Sequence, residues 1–173
     1  VLERYDVGVL FHVGVPSDTP VYTSFAKVSD STHSYVAERG DIIDLGGGAY
    51  VRILFPDRDL SLNVETNTSS AIVEVVYGDV EFLLTGDAPS SIEQHVVALE
   101  GEVLQSEVLK AGHHGSNTSS SETFVAVVNP DFAVISAGRD NRYGHPHQRV
   151  LQTFAEKNIS VLGTYNEGTI TFS

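Results

Sequence analysis

The sequence has no cysteine, no methionine and no tryptophan. Without thiols, disulfides and thiolate metal ligands are excluded, so a metal here would have to be met by imidazole and carboxylate. Positive charge is scarce as well: 10 Lys and Arg stand against 23 Asp and Glu, a formal net charge of −13. That balance argues against a generic nucleic-acid binder, which carries a basic stripe. The acidity reads first as a solubility feature. Apolar runs are only a few residues long, and none reads as a transmembrane helix or a signal peptide.

What is present suits a single domain over residues 1–173, at 41% hydrophobic and 19% charged residues, long enough to bury a core. Val7–Phe11 reads as a short strand, and residues 20–39 mix polar and apolar at helical spacing, predicting one or two short helices. Strands are expected at Ile42-Ile43 and Tyr50–Phe55, around Gly46-Gly47-Gly48. That triplet lacks the following Lys-Ser/Thr of a phosphate loop and reads as a hairpin turn. A polar loop over 61–70 precedes a hairpin, Ala71–Tyr77 and Val80–Leu84, turning at Gly78-Asp79.

Beyond it the chain alternates strand and helix, the pattern of an α/β layer. A helix opens at Ser90, with Ser90 as N-cap and Glu93 completing a capping box, and Gly101 stops it. A strand over 106–111, a helix from Ser121 to Val128 and a strand over 132–137 follow. A helix opening at Pro146 and two strands, Ser160–Tyr165 and Thr169–Phe172, close the chain.

Three of these strand ends carry the chemistry. Phe82-Leu83-Leu84-Thr85-Gly86 runs into Asp87, Val108-Leu109-Lys110-Ala111-Gly112 into His113-His114, and the 132–137 strand leads to Arg142-Tyr143-Gly144-His145-Pro146-His147. Side by side, such strands bring carboxylate and imidazole together without thiol, a set that suits zinc or manganese at a hydrolytic site. Because successive strand side chains point to opposite faces, only one of His113 and His114 is expected on a metal. His113 is preferred as ligand, with His114 orienting it or meeting substrate. Pro146 is expected to make His145 and His147 diverge, and His145, in the post-strand loop, is preferred for metal or for proton transfer. Ser116 and the hydroxyls of Thr118–Ser121 either cap the next helix or donate to a phosphate near its N-terminus. Arg139 and Arg142 lie beside the His145 motif and offer local positive charge. His12, His33 and His95 carry no motif and read as surface or loop histidines. Taken alone, Asp87 also reads as a turn or capping aspartate.

The ordered set LLTGDA, LKAGHHGSNTSSS and RYGHPH resembles the metallo-β-lactamase superfamily, and within it the hydrolase-like domain of ComEC-type competence proteins, the DNA-uptake channels of the bacterial inner membrane. The resemblance runs from about residue 40 to the end and includes Gly40–Gly48 and Asn67-Thr68-Ser69-Ser70. It implies a metallo-β-lactamase-like αββα sandwich, a two-metal site bridged by Asp87 with His113 and His145 as further ligands, and catalytic roles for His113, His114 and His145. It implies polar lining by Asn67 and Ser70, where the wider superfamily has another metal histidine, and substrate contacts from Ser116 and Arg142. Asn117 stands where many members carry Lys. DNA and a membrane channel domain are the implied partners, and attack on a phosphodiester the implied reaction.

The superfamily's main metal motif, His-x-His-x-Asp-His, is not spelled anywhere in the sequence. The expectation is therefore a C-terminal part of such a domain, lacking its leading strands and inactive alone, which associates with a second copy or covers its bare surface with residues 1–40. A degenerate homologue, or a non-catalytic module that keeps the fold, is the alternative.

Overall fold

The computed structural model describes residues 4–62 and 65–173. Among them, a mixed sheet of seven strands runs in the order β3(Ile42–Gly46), β4(Ala49–Phe55), β5(Ile72–Tyr77), β6(Val80–Leu84), β7(Val108–Lys110), β8(Phe132–Ile135) and β9(Ser160–Gly163). The first four strands are antiparallel neighbours; tight hairpin turns join β3 to β4 and β5 to β6, and the long loop with the Asn67–Ser69 turn joins β4 to β5. Gly46, Gly47 and Gly48 all take positive φ at the β3–β4 turn, which a glycine run adopts without steric penalty. From β6 onward every pairing is parallel, with Leu83, Leu109 and Ala133 in one row across the sheet.

Parallel neighbours need crossovers, and α2(Ser90–Glu100), α3(Glu122–Val128) and α4(Gln148–Glu156) supply them. The helices bury Ile92, Val96, Phe124, Val125, Val128, Val150 and Phe154 against Leu83, Leu109, Ala133 and Ile135. This core fixes the parallel half, and with it the loops that leave the strands' C-terminal ends.

The N-terminal part is built separately. β1(Val9–His12) pairs in parallel with β2(His33–Val36), and α1(Pro20–Ser29) connects them. Helical spacing over 20–39 therefore holds only for its first half. Residues 33–36 form a strand, in which His33 and Tyr35 share a face and Tyr35 stacks on Phe11 at 5.6 Å.

Other local expectations are corrected by tertiary contacts. Glu93 does not close a capping box within α2, whose N-cap is Pro89 with no side-chain bond. Its carboxylate reaches across to the start of α3 and accepts the backbone N–H groups of Ser120 at 2.6 Å and Ser121 at 3.0 Å. It thereby does for α3 what the Ser116–Ser121 hydroxyls were expected to do; Ser121 is the N-cap residue but makes no side-chain cap bond. The helix after β8 begins at Gln148, not Pro146, with His147 extended at its N-cap. The 61–70 loop contains a 3-10 turn at Asn67–Ser69, and its residues 63 and 64 lie outside the described ones. After β9 the chain turns into α5(Thr164–Glu167), and residues 169–172 form no strand: Phe172 instead packs edge-on against Phe82 and Phe132.

Candidate functional site at the ends of the parallel strands

Because β6, β7 and β8 run parallel, the segments that follow them emerge at the same sheet end, where open α/β sheets bind ligands. Asp87 follows β6, His113 and His114 follow β7, and the loop to His145 and His147 follows β8. His113 lies 5.8 Å from His145 and 6.3 Å from His114, ring centre to ring centre. His145 and His147 are 5.2 Å apart, so Pro146 does not splay them; the helix starts too late to carry His147 away.

Strand alternation does not apply to His113 and His114 either. They sit in a tight turn, Gly112–Gly115, with both residues in the left-handed region at φ 48° and 58°. Non-glycine residues take that conformation at a cost of roughly 1–2 kcal/mol each, so the surroundings must hold the turn. The His113 N–H donates to Gly86 O at 3.0 Å, Ser116 N–H to His113 O, and His147 N–H to Gly115 O at 2.9 Å. Gly115, at φ +83°, has Pro146 so close that a Cβ would meet it at 2.7 Å. The two histidine motifs therefore dock on each other through a glycine.

The ring of His114 is oriented. Its Nδ1 lies 2.7 Å from the Ser136 carbonyl, which can only accept, so Nδ1 carries a hydrogen, and in the neutral ring it is Nε2 that offers the lone pair. That Nε2 stands 3.6 Å from Asp87 Oδ1, and both side chains remain nearly half exposed. Two ligands on a tetrahedral cation with bonds of about 2.1 Å lie about 3.4 Å apart. The donor chemistry thus fits a divalent cation, and the Asp87–His114 pair already has coordinating separation. Among the described residues no group of three or more His, Cys, Asp or Glu does.

Polar neighbours set the other groups. Ser70 Oγ accepts the Asp87 N–H at 3.1 Å. Ser116 is buried, and its hydroxyl bonds Thr118 Oγ1 at 3.0 Å, which in turn lies 3.4 Å from His113 Nδ1. Asn67 is half-buried at the start of its 3-10 turn, with its backbone carbonyl accepting from Ser70. Arg142 is exposed and bonds Tyr143 Oη, while Arg139 bonds the carbonyl of Tyr165. His12 and His33 stay on the N-terminal strands, and His95, on α2, pairs with Asp57 at 2.8 Å.

Three residues escaped the sequence reading. Lys110 is half-buried on the sheet face opposite Leu109; burial pushes its ammonium down, opposed by the Asp87 carboxylate. Its one signal was a lone lysine ending an apolar strand. Asn141 clamps the β8–α4 loop, accepting the His145 N–H at 2.9 Å and donating to the carbonyls of His145 and Gly138. Tyr143 stacks on His145. Burial, then the neighbouring His147, His113 and His114 rings, push the His145 imidazolium down.

Comparison with known proteins adds a family. The chain is 37% identical over 135 residues to ComE operon protein 3 of Bacillus subtilis, covering 78% of this chain and 17% of that protein. It is 40% identical over 110 residues to competence protein ComA of Neisseria gonorrhoeae, covering 64% of this chain and 16% of the relative. The matches support the ComEC-type competence family. Recombination protein 2 of Haemophilus influenzae is 36% identical over 126 residues, covering 71% of this chain and 15% of that relative. This chain thus spans about a sixth of the length of the curated relatives it matches. No family model matches it. Among the described residues, no helix is long and apolar enough to cross a membrane.

Proposed function

We propose that the chain belongs to a metal-dependent hydrolase domain of the metallo-β-lactamase kind, acting on phosphodiester bonds of DNA in competence-related uptake. The observation that carries this reading is the convergence of Asp87, His113, His114 and His145 at one end of the parallel strands. Relatives named for competence and recombination support DNA as the substrate. The seven-stranded sheet with its helix-covered face is compatible with one half of an αββα sandwich. In the longer relatives a membrane channel domain and, for this segment, a second copy are the further partners of the proposal.

Zinc or manganese would be held by Asp87 with His114, and by His113 and His145 after small movements. When bound, such a metal supplies hydroxide near neutral pH and polarises a phosphoryl oxygen. The chain's own groups set the stage for that chemistry. Ser70 holds the Asp87 backbone, Ser136 fixes the His114 tautomer, and the Ser116–Thr118 pair steadies His113. His145, whose imidazolium form its surroundings disfavour, lines the cleft and is the proton acceptor of the site where it is not itself a metal ligand. Asn67 lines the approach, and Arg142 exposes a guanidinium that a phosphate can meet.

One observation favours a second reading, a module that binds without catalysis: no set of three donors stands at metal-holding geometry among the described residues. Calorimetric titration with zinc and manganese, paired with nuclease assays, separates the two. Asp87→Asn and His114→Ala should each weaken metal binding at least about tenfold, the loss of one ligand from a small set. This chain should be nearly silent as a nuclease, and a longer protein that continues upstream should be active and lose activity with D87N. A longer protein that binds DNA yet cleaves nothing with any divalent metal would establish the binding module instead.

A further inference from the structure

The β8–α4 loop carries an aromatic surface that the hydrolase reading leaves unused. Tyr143 is 61% exposed, yet its ring is ordered against the site, 5.8 Å from the His145 ring and within 24° of parallel. The Arg142 guanidinium lies 4.8 Å from the centre of the Tyr143 ring and donates to its hydroxyl at 2.6 Å. Asn141, with its three bonds to Gly138 and His145, holds the backbone that presents both. Beside them opens a cleft of about 350 Å³, lined by His114, Ser136, Asn141, Tyr143, His145 and Thr164. That volume lies at the small end of ligand sites, on the scale of a single nucleotide.

We propose that Tyr143 and Arg142 form a stacking platform for one unpaired nucleobase of a DNA single strand, with the adjoining phosphate delivered to His114 and His145. The proposal rests on the phosphodiester reading of the site and narrows its substrate to strands with an unpaired base. Three physical arguments support it. A chain of net charge −13 cannot gather DNA by a broad positive field, so its affinity must come from contacts that are not long-range electrostatic. Base–aromatic stacking is such a contact, and it tolerates any sequence because every base has a π-face. Arg142 adds a local cation that can stack on the base or swing to the phosphate, the dual use that a planar guanidinium allows. A paired base has both faces covered by its neighbours in the duplex, so the platform discriminates strand state without reading sequence.

Fluorescence anisotropy of the full chain with three fluorescein-labelled probes tests this: an oligothymidylate, an abasic strand of the same length, and a duplex of that length. The oligothymidylate should bind about tenfold or more tighter than the abasic strand, the span a single stacked base carries, and tighter than the duplex. Tyr143→Ala should erase the difference between the two strands, while Tyr143→Phe keeps it. Because Tyr143 is exposed, Y143A should leave the circular dichroism spectrum and urea midpoint unchanged. The platform is overturned if the abasic strand binds as tightly as the oligothymidylate, if Y143A binds oligothymidylate like the wild type, or if no probe binds. H114A separates the two ideas. Weakened binding of both strands in H114A with no effect of Y143A removes the platform and keeps the phosphodiester site. Base-dependent binding lost only in Y143A keeps the platform and removes His114 from phosphate contact.

Discussion

Helix α4 buries Val150, Thr153 and Phe154 in the core, whereas α1, one residue longer, buries nothing. The same contrast separates the strands around them. β8 places Ala133 and Ile135 at zero exposure, while β2 is exposed at all four positions. No described residue before Ala37 is buried. Both regions are strand–helix–strand units with parallel strands, so secondary structure alone does not distinguish them. Burial does, and the candidate site follows burial: every group that converges there hangs from β6, β7 or β8. A histidine pair in a strained turn needs a rigid support, and only the parallel half provides one.

Two phenylalanine truncations test that contrast most directly. Phe154 is fully buried among core residues, so Phe154→Ala should destabilise by about 3–5 kcal/mol, the cost of a large aromatic cavity. Phe25 on α1 is 38% exposed, and Phe25→Ala should change the global urea midpoint by less than about 0.5 kcal/mol. Comparable losses for the two variants would show that the N-terminal unit and the core unfold together.

A smaller effect should come from Glu93, the pin between α2 and the loop of the histidine turn. Glu93→Ala leaves the Ser120 and Ser121 N–H groups without their acceptor and should cost about 1–3 kcal/mol. Hydrogen exchange should accelerate first at those two amides. The same residue gives the core a pH dependence. Burial outweighs the two N–H bonds and pushes the Glu93 carboxyl above its ordinary value. The native state therefore keeps this proton to higher pH than the unfolded chain does. Its contribution to stability is complete below the unfolded value of about 4.3, and is lost as pH rises through the folded value. Glu93→Gln removes that slope, so the difference between wild type and E93Q, followed by urea unfolding across the acidic range, should shrink toward zero slope once both states are ionised. Wild-type stability that instead rises relative to E93Q as pH climbs toward the unfolded value of about 4.3 would mean that the N–H bonds, not burial, set this carboxyl.

The sequence patterns that survived folding are those with local causes. The hairpin at Gly78-Asp79, the triple-glycine turn and the strands ending in Asp87 and His113-His114 were all legible because turn chemistry and apolar runs fix them. What was lost depends on partners distant in sequence. Glu93 satisfies the spacing of a capping box, but the stronger demand comes from Ser120 and Ser121, 27 and 28 residues away. His147 follows a proline that favours a first helical turn, yet its N–H is claimed by Gly115. The neighbouring placement of His113 and His114 needed two left-handed residues in succession, which no periodicity announces. Tyr143 lies inside a motif that was noticed for its histidines and for Arg142, and Asn141 stands one residue before it.

The smallest expected effect concerns the cap of α1. Thr19 Oγ1 accepts the Tyr22 N–H at 3.2 Å, with Pro20 in the first helical position. Removing such a cap costs roughly 1 kcal/mol of helix stability, and a ten-residue helix of this length is marginal without tertiary support. Thr19→Ala should therefore lower the helical signal of α1 measurably by circular dichroism or amide exchange. Its free energy has no route into the global transition, however, because α1 presents no buried side chain to couple it to the core. The urea midpoint of T19A should lie within about 0.5 kcal/mol of wild type. A full kilocalorie of global loss would mean that the N-terminal unit shares the cooperative fold of the parallel half despite its exposure, and burial would no longer be what separates the two regions.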